Sequence, residues 1–306
     1  MKYIVTGGAG FIGSHIAEAL AVKNEVVIID DLFSGKMQNL DDFRNSIHFV
    51  QGSITNLPLM EEICTEADGI FHEAAIASVP RSIKNPLATN EANVTGTLNV
   101  LVAAKECGVR KVVFASSSSV YGDTPTLPKR EDMEPNPLSP YAISKHAGEQ
   151  YTKVFANLYG MKTVALRYFN VFGSRQDPTS DYAAVIPKFI TRILHNQSPI
   201  IFGDGNQTRD FTYVKDVVQA NLKAMESDAE GLFNVAYNEC IDLTTLAQLI
   251  MEIIGKKVPI LYEPPRPGDV RDSLADITRA KSAFKYAPEY TVKTGLQETI
   301  QWYMNR

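Results

Sequence analysis

The first thirty residues constrain the chain more than any other stretch. An apolar, β-branched run at Tyr3–Thr6 stops on Gly7-Gly8-Ala9-Gly10-Phe11-Ile12-Gly13. Helix-compatible sequence follows over Phe11–Val22, and a second apolar run, Glu25–Asp30, ends on a carboxylate twenty residues after Gly10. The alternation continues, with strands expected at His48–Gln51, Gly69–His72, Lys111–Ala115 and Thr163–Arg167 and helices at Leu57–Thr65, Pro86–Glu106 and Tyr141–Tyr159. Runs such as VVII and KVVFA are apolar without alternation, as strands covered on both faces are. The pattern predicts an α/β fold, a doubly wound parallel sheet with helices on both faces.

Beyond Arg167 the rhythm loosens into the Gly/Pro-punctuated segments FGSRQDP, FGDGNQTRDF and PPRPGD, although Tyr213–Met225 and Leu243–Ile254 keep helical apolar spacing. At 306 residues the chain suits two unequal lobes sharing a cleft. The expected division is residues 1–168 with a return segment near 212–238 in the larger lobe, and 169–211 with 239–306 in a smaller α/β lobe. Thirty Lys and Arg against 35 Asp and Glu argue against a nucleic-acid or membrane-surface binder, so any anion site must be local. Cys64, Cys107 and Cys240 stand far apart, with no C-x-x-C pair or His cluster, which predicts neither disulfides nor a metal site. No apolar run approaches the ~20 residues of a membrane span, the opening KYIVT predicts no signal peptide, and a cytoplasmic location is expected.

The Gly-rich turn sits between the first strand and the first helix, where small residues let the backbone approach a pyrophosphate and the helix N-terminus faces its charge. Its spacing is G-x-x-G-x-x-G. Asp30 closes the second strand where a carboxylate accepts ribose hydroxyls and repels an additional 2′-phosphate, which selects NAD. Asp31 is equally well explained as a solvated turn residue.

Further along, Tyr141-Ala142-Ile143-Ser144-Lys145 sets a phenol and an ammonium on one helix face, after Ser116-Ser117-Ser118-Ser119-Val120-Tyr121-Gly122 at the end of a strand. Doubly wound sheets bind ligands at that edge. A Tyr with its ordinary pKa near ~10 needs roughly 4 kcal/mol of phenolate stabilisation to serve as a base near neutrality. A neighbouring ammonium and a positive nicotinamide ring are suited to supply it. Tyr141 is thus the expected base, Lys145 its tuning charge and Ser117 the group that holds the reacting oxygen.

Taken in order, GGAGFIG, HEAA, SSSVYG, SPYAISK and RYFNVFG resemble the extended short-chain dehydrogenase/reductases that act on nucleotide sugars, over essentially the whole chain. Within that Rossmann-type class the chain is most similar to the UDP-glucose/UDP-N-acetylglucosamine 4-epimerases. The resemblance implies Ser117 as the catalytic Ser, with Ser118 as the fallback, and NAD contacts at Gly7, Gly10, Gly13, Phe11, Ile12, Asp30, Ala74, Asn93, Tyr141, Lys145 and Phe169. Ser53 stands where relatives carry Asp near the adenine, and Ile54 is expected to pack on that ring. Nucleotide-sugar contacts map to Asn170, Ala184, Val185, Lys188, Arg209, Arg266 and Asp269, with the two Arg suited to clamp a diphosphate.

Relatives restricted to unsubstituted hexoses tend to carry Lys at the position of Ala77 and Tyr at that of Ser273. The smaller residues here imply room for a 2-acetamido group. The resemblance also implies a homodimer built on the helices Pro86–Glu106 and Tyr141–Tyr159. A 4,6-dehydratase would place an Asp-Glu pair where Ser118 and Ser119 stand, a UDP-glucuronate decarboxylase is less well excluded, and a non-catalytic nucleotide sensor would not need Ser117, Tyr141 and Lys145 together. His72, Tyr290, Trp302 and Tyr303 are expected to serve packing and hydrogen bonding.

Overall fold

The near-continuous apolar runs become the middle of a parallel sheet in the computed structural model, which describes residues 1–178, 184–265 and 270–305. Its strands are β1 (Lys2–Thr6), β2 (Glu25–Asp30), β3 (His48–Gln51), β4 (Gly69–His72), β5 (Lys111–Ser117) and β6 (Lys162–Tyr168), joined by a seventh at Gly231–Val235. From one edge the order is the seventh strand, β6, β5, β4, β1, β2 and β3, with every neighbour parallel. The chain therefore reverses direction across the sheet between β1 and β4. Helices leaving those two strands go to opposite faces, and a crevice opens above their C-terminal ends.

Successive side chains along each strand enter two different cores, as the two-residue pleat requires. Tyr3, Val5, Ile28, Phe71, Val113 and Leu166 meet Ile16 and Leu20 of helix α1 (Phe11–Ala21) together with Val217 and Ala224 of the helix Val214–Glu226. Ile4, Val27, Ile29, Ile70 and Val112 face α2 (Leu57–Cys64) and the helices that follow it. The stretch Pro86–Glu106 is one path with a change of pitch. After α3 (Val79–Lys84), α4 (Pro86–Asn90) widens into a π turn at Glu91–Thr95 before α5 (Gly96–Glu106). Helix α6 (Pro140–Tyr159) starts where the Ser139 hydroxyl accepts the Ala142 N–H at 3.1 Å, and it ends on Gly160 at φ 66°.

A third core, including Phe172, Phe189, Ile201, Phe211, Leu246, Ile250 and Ile300, lies among the helices Val185–Leu194, Leu243–Ile254 and Val292–Met304. The stretch Ala275–Tyr286 returns to the sheet instead, with Phe284 edge-on to Phe233 at 5.1 Å. Tyr213, read from sequence as the first residue of a helix, belongs instead with Thr212 to a short parallel ladder on Val171–Phe172, which delays the helix to Val214. Among the described residues no helix is long and apolar enough to cross a membrane, and no cluster of three or more His, Cys, Asp and Glu side chains is arranged to hold a metal. All three cysteines are free thiols.

Candidate active site

The turn after β1 is glycine-rich because the backbone leaves no space for side chains. A Cβ on Gly7, at φ +66°, would lie 2.7 Å from the Ala74 Cα, and one on Gly13 would lie 2.3 Å from the Gly7 carbonyl oxygen. Gly10 is the N-cap of α1 and offers no capping side chain. The first turn thus presents backbone N–H groups above the switch between β1 and β4, a cradle that fits the pyrophosphate of a dinucleotide. Phe11, Ile12 and Phe169 border an adjoining cleft of about 850 Å3.

Asp30 is 7% exposed and accepts the Ala9 N–H at 3.0 Å and the Leu32 N–H at 2.8 Å, while burial pushes its carboxyl above the usual range. Gly35 lies directly on that carboxylate, so the cleft is bordered here by Leu32–Lys36 and not by Asp30 itself. Two carboxylate oxygens carry about four lone pairs, so two bound N–H groups leave acceptors for ribose hydroxyls. Ser53 bonds Thr55 through its hydroxyl at 2.9 Å. Ile54 follows Ser53 in the loop after β3. Its side chain is buried against Gly96, because α5 packs closely on the loop after β3. Asn93, in the π turn, accepts the Ile76 N–H and donates to the Ile76 carbonyl and the Ser144 hydroxyl, so it ties the segment after β4 to α6. The Ala74 N–H donates to Thr6. His72 is a structural group as expected, buried between the Thr6 and Thr97 hydroxyls.

The catalytic groups come from two elements that the sheet edge brings together. Ser117 is the last residue of β5, and its hydroxyl accepts the Ser119 N–H at 3.1 Å. Tyr141, in the first turn of α6, lines the same cleft as Ser117. Lys145, one turn on, donates to the Ala115 carbonyl at 2.7 Å and lies 5.1 Å from the Phe114 ring centroid. Burial raises the Tyr141 phenol above its ordinary value, Ser117 opposes this and Glu73 adds to it. The ammonium is engaged by a carbonyl and flanked by the charges of Glu73 and Glu149, and burial lowers its own pKa.

Behind β5, Glu149 accepts the Ser116 hydroxyl at 2.5 Å and a fork from Arg167 through Nε and Nη2, both at 2.8 Å. Arg167 is 1% exposed and stacks 4.4 Å from the Tyr121 ring centroid, whose hydroxyl donates to Asn234. This pair fixes the strand end that carries Ser117.

On the other side of the cleft the structure gathers most of the expected substrate residues. Ala77, Ser117, Ser118, Asn170, Ala184, Arg209 and Ser273 all border it. Asn170, Ala184, Val185, Lys188 and Arg209 also border a second cavity of about 290 Å3. Arg209 stands between the two, its Nη1 donating to the Thr208 and Arg271 carbonyls, each at 2.8 Å. Asn170 donates to the Ser273 hydroxyl at 3.1 Å, which holds that small residue at the cleft wall. Arg266 and Asp269 lie outside the described residues. Sequence reasoning missed the walls of the second cavity formed by Ile200–Phe202, Phe211 and Leu243. The apolar run PIIF before GDG was the available signal. It also missed Lys36 and Asp177, which pair at 2.8 Å across the mouth of the cleft.

Residues 3–238 match the NAD-dependent epimerase/dehydratase family. The chain is 42% identical over 305 residues to a putative UDP-glucose 4-epimerase of Methanocaldococcus jannaschii, covering 99% of this chain and 98% of that one. It is 35% identical over 315 residues to a UDP-N-acetyl-α-D-glucosaminuronate decarboxylase of Bacillus cytotoxicus, covering 99% and 97%. Its fold superposes with a TM-score of 0.97 on the UDP-N-acetylglucosamine 4-epimerase of Methanobrevibacter ruminantium in complex with UDP-N-acetylmuramic acid, at 43% identity and 99% and 98% coverage. The family match takes in both the glycine cradle and the Ser117, Tyr141 and Lys145 cluster, so the chain belongs to the NAD-dependent epimerase/dehydratase family.

Proposed function

We propose that the protein is an NAD-dependent UDP-sugar 4-epimerase. The observation that carries the reading is that Ser117, Tyr141 and Arg209 line one cleft together with Phe11 and Ile12 at the uncapped N-terminus of α1. Bound NAD supplies a hydride acceptor that returns the hydride to the same carbon. Tyr141 takes the C4 hydroxyl proton, Ser117 holds the oxygen, and Lys145 adds positive charge beneath them. Arg209 and Lys188 hold the UDP while the 4-keto sugar turns over, and the cleft of about 850 Å3 gives it space. Tyr141 then returns the proton, with no net redox change.

Ala77 and Ser273, both at the cleft wall, favour a substrate with a 2-acetamido group, UDP-GlcNAc or UDP-GalNAc, over the plain hexoses. A second reading has its own support. Lys129 is 2% exposed, borders the same cleft, and has no carboxylate in ion-pair contact among the described residues, which suits a UDP-hexuronate. Incubating the enzyme with UDP-Glc, UDP-GlcNAc and UDP-glucuronate and resolving products by NMR separates the readings. Conversion of UDP-Glc without binding or turnover of UDP-GlcNAc refutes the sugar assignment, and release of carbon dioxide from UDP-glucuronate identifies a decarboxylase.

A homodimer belongs to the same proposal. Ile143, Val154 and Leu158 recur on one face of α6 and are exposed, beside exposed Ile83 of α3 and Leu87 of α4. Leu158→Glu is expected to convert a dimer to a monomer in light-scattering measurements. Free thiols at three separated cysteines suit a cytoplasmic setting.

A further inference from the structure

Two carboxylates beside the substrate half of the cleft take no part in moving a proton or hydride, and each binds the backbone of the other's segment. Asp210 is fully buried. Its Oδ1 accepts the Tyr237 N–H at 3.1 Å and the Asn238 N–H at 3.2 Å. Its Oδ2 shares the Asn238 N–H at 3.2 Å and accepts the Ala275 N–H at 3.1 Å. Asp272, which lines the cleft, does the reverse: its Oδ1 accepts the Thr208 N–H at 3.1 Å and the Thr208 hydroxyl at 2.8 Å. Segments 208–210 and 271–275 are thus clasped reciprocally, and the Arg209 Nη1 reaches across to the Arg271 carbonyl at 2.8 Å.

Asn170 completes the arrangement. Its Nδ2 donates to the Asp210 carbonyl at 3.0 Å and to the Ser273 hydroxyl at 3.1 Å, and its own carbonyl accepts the Thr212 N–H at 3.3 Å. Its backbone, at φ 34°, lies in the left-handed region that Asn tolerates better than most residues, and these bonds hold it there. A closed circuit results. It runs from the Asp210 carbonyl through the Asn170 amide to Ser273, along the chain to Ala275, and back to the Asp210 carboxylate. The other edge of 271–276 is held separately, by the Arg271 N–H on Asp123 at 3.3 Å and by the Lys129 backbone, which bonds the Leu274 carbonyl at 2.7 Å and the Asp276 N–H at 2.9 Å. The segment therefore stays attached to the molecule without the clasp. What the two aspartates add is its registration against Arg209.

We propose that Asp210 and Asp272 are positioning residues that fix Arg209 and Ser273 as one rigid wall, so that a nucleotide sugar meets its diphosphate clamp and its sugar contact already at the right separation. The inference rests on Arg209 being the diphosphate clamp of the proposed function. Arg209 and Ser273 both line the cleft but come from segments far apart in sequence. Without the clasp a ligand that binds both has to order them itself, and that cost appears as lost affinity. Ser117, Tyr141 and Lys145 stand on β5 and α6, outside the clasp, so the effect falls on binding and not on the chemical step.

The test uses the NAD-loaded protein, titrated calorimetrically with UDP and with whichever of UDP-GlcNAc, UDP-Glc and UDP-glucuronate the wild type turns over, with kcat and KM measured in parallel. Asp272→Ala removes both bonds to Thr208, Asp272→Asn keeps an acceptor oxygen for them, and Asp210→Asn sets an amide N–H against backbone N–H donors. The expected result for Asp272→Ala is about ten-fold weaker binding of the UDP-sugar, a KM raised alike and a kcat within about two-fold of wild type. Bare UDP, which reaches Arg209 but not Ser273, should lose only about two-fold. Asp272→Asn recovers most of the affinity, which separates the hydrogen bond from the charge. Asp210→Asn should weaken the UDP-sugar by about ten-fold or more at similar kcat. Should that variant fail to fold, half-buried Asp272 still decides the matter. An Asp272→Ala protein that melts lower but binds the UDP-sugar as wild type does, or one whose kcat falls at unchanged KM, overturns the proposal. Wild-type UDP affinity in Arg209→Ala is a separate outcome. It removes Arg209 as the clamp, and with it this role for the two aspartates.

Discussion

Replacing Glu149 by Met isolates a buried cation whose consequences can be worked from the structure. Arg167 is 1% exposed, its Nε and Nη2 both bond Glu149, and its Nη1 already has no partner. Guanidinium cannot shed its proton in a protein, so without Glu149 the charge stays buried and unpaired. Four contacts to the carboxylate are lost, two from Arg167, one from Ser116 and a longer one at 3.4 Å from His146. At roughly 1.5–3 kcal/mol each these would sum to more than the expected effect, but desolvation of the carboxylate is relieved at the same time. Removing one partner of a buried pair costs about 3–5 kcal/mol. With an m-value near ~3 kcal/mol per M, the urea midpoint should fall by about 1 M or more. Removing both partners, as in Glu149→Met with Arg167→Met, should cost less than Glu149→Met alone, even after losing the stacking on Tyr121. Urea melts of the three variants beside the wild type, followed by circular dichroism, measure this. A single-variant shift below about 0.3 M, or a double variant that equals the sum of the singles, would refute the reasoning.

Three further outcomes are expected. Gly13→Val places a side chain against the Gly7 carbonyl and should weaken NAD retention by about ten-fold or more, measured as cofactor released from the purified protein on denaturation. His72, held neutral with its pKa pushed down to about 3 mainly by burial, makes the fold lose stability as pH drops through about 6.5, because only the unfolded chain then takes a proton. The wild-type advantage over His72→Gln in urea should accordingly shrink by about 2 kcal/mol between pH 7 and pH 5, and an unchanged gap contradicts the assignment. The Lys36–Asp177 pair is partly exposed, so Asp177→Asn should speed NAD release no more than about five-fold in stopped-flow displacement.

The central sheet was legible because its strands are short, apolar and separated by glycine and helix signals that act locally. Six were read from sequence to within two residues at either end, while Gly231–Val235 escaped because GLFNV looks like a loop until β6 pairs with it. Ser117, Tyr141 and Lys145 were legible as a motif, since spacing along one helix and the end of one strand fixes which faces meet. Their electrostatics were not. The Glu73 carboxyl meets the Tyr168 hydroxyl only because β4, β6 and the helix Val214–Glu226 arrive at one point from residues 73, 168 and 221.

Sequence alone thus determined what depends on neighbours in the chain: the alternating elements, the glycine cradle at a helix start, and the residue types needed to move a proton beside a dinucleotide. Only tertiary structure decided what depends on distant segments sharing a low-dielectric space. There, burial lifts the Tyr141 phenol, a carbonyl and two carboxylates claim the Lys145 ammonium, and a loop folds over Asp30. Charge interactions reach several ångströms in every direction and strengthen as water is excluded, so their balance belongs to the packed molecule and not to any stretch of its sequence.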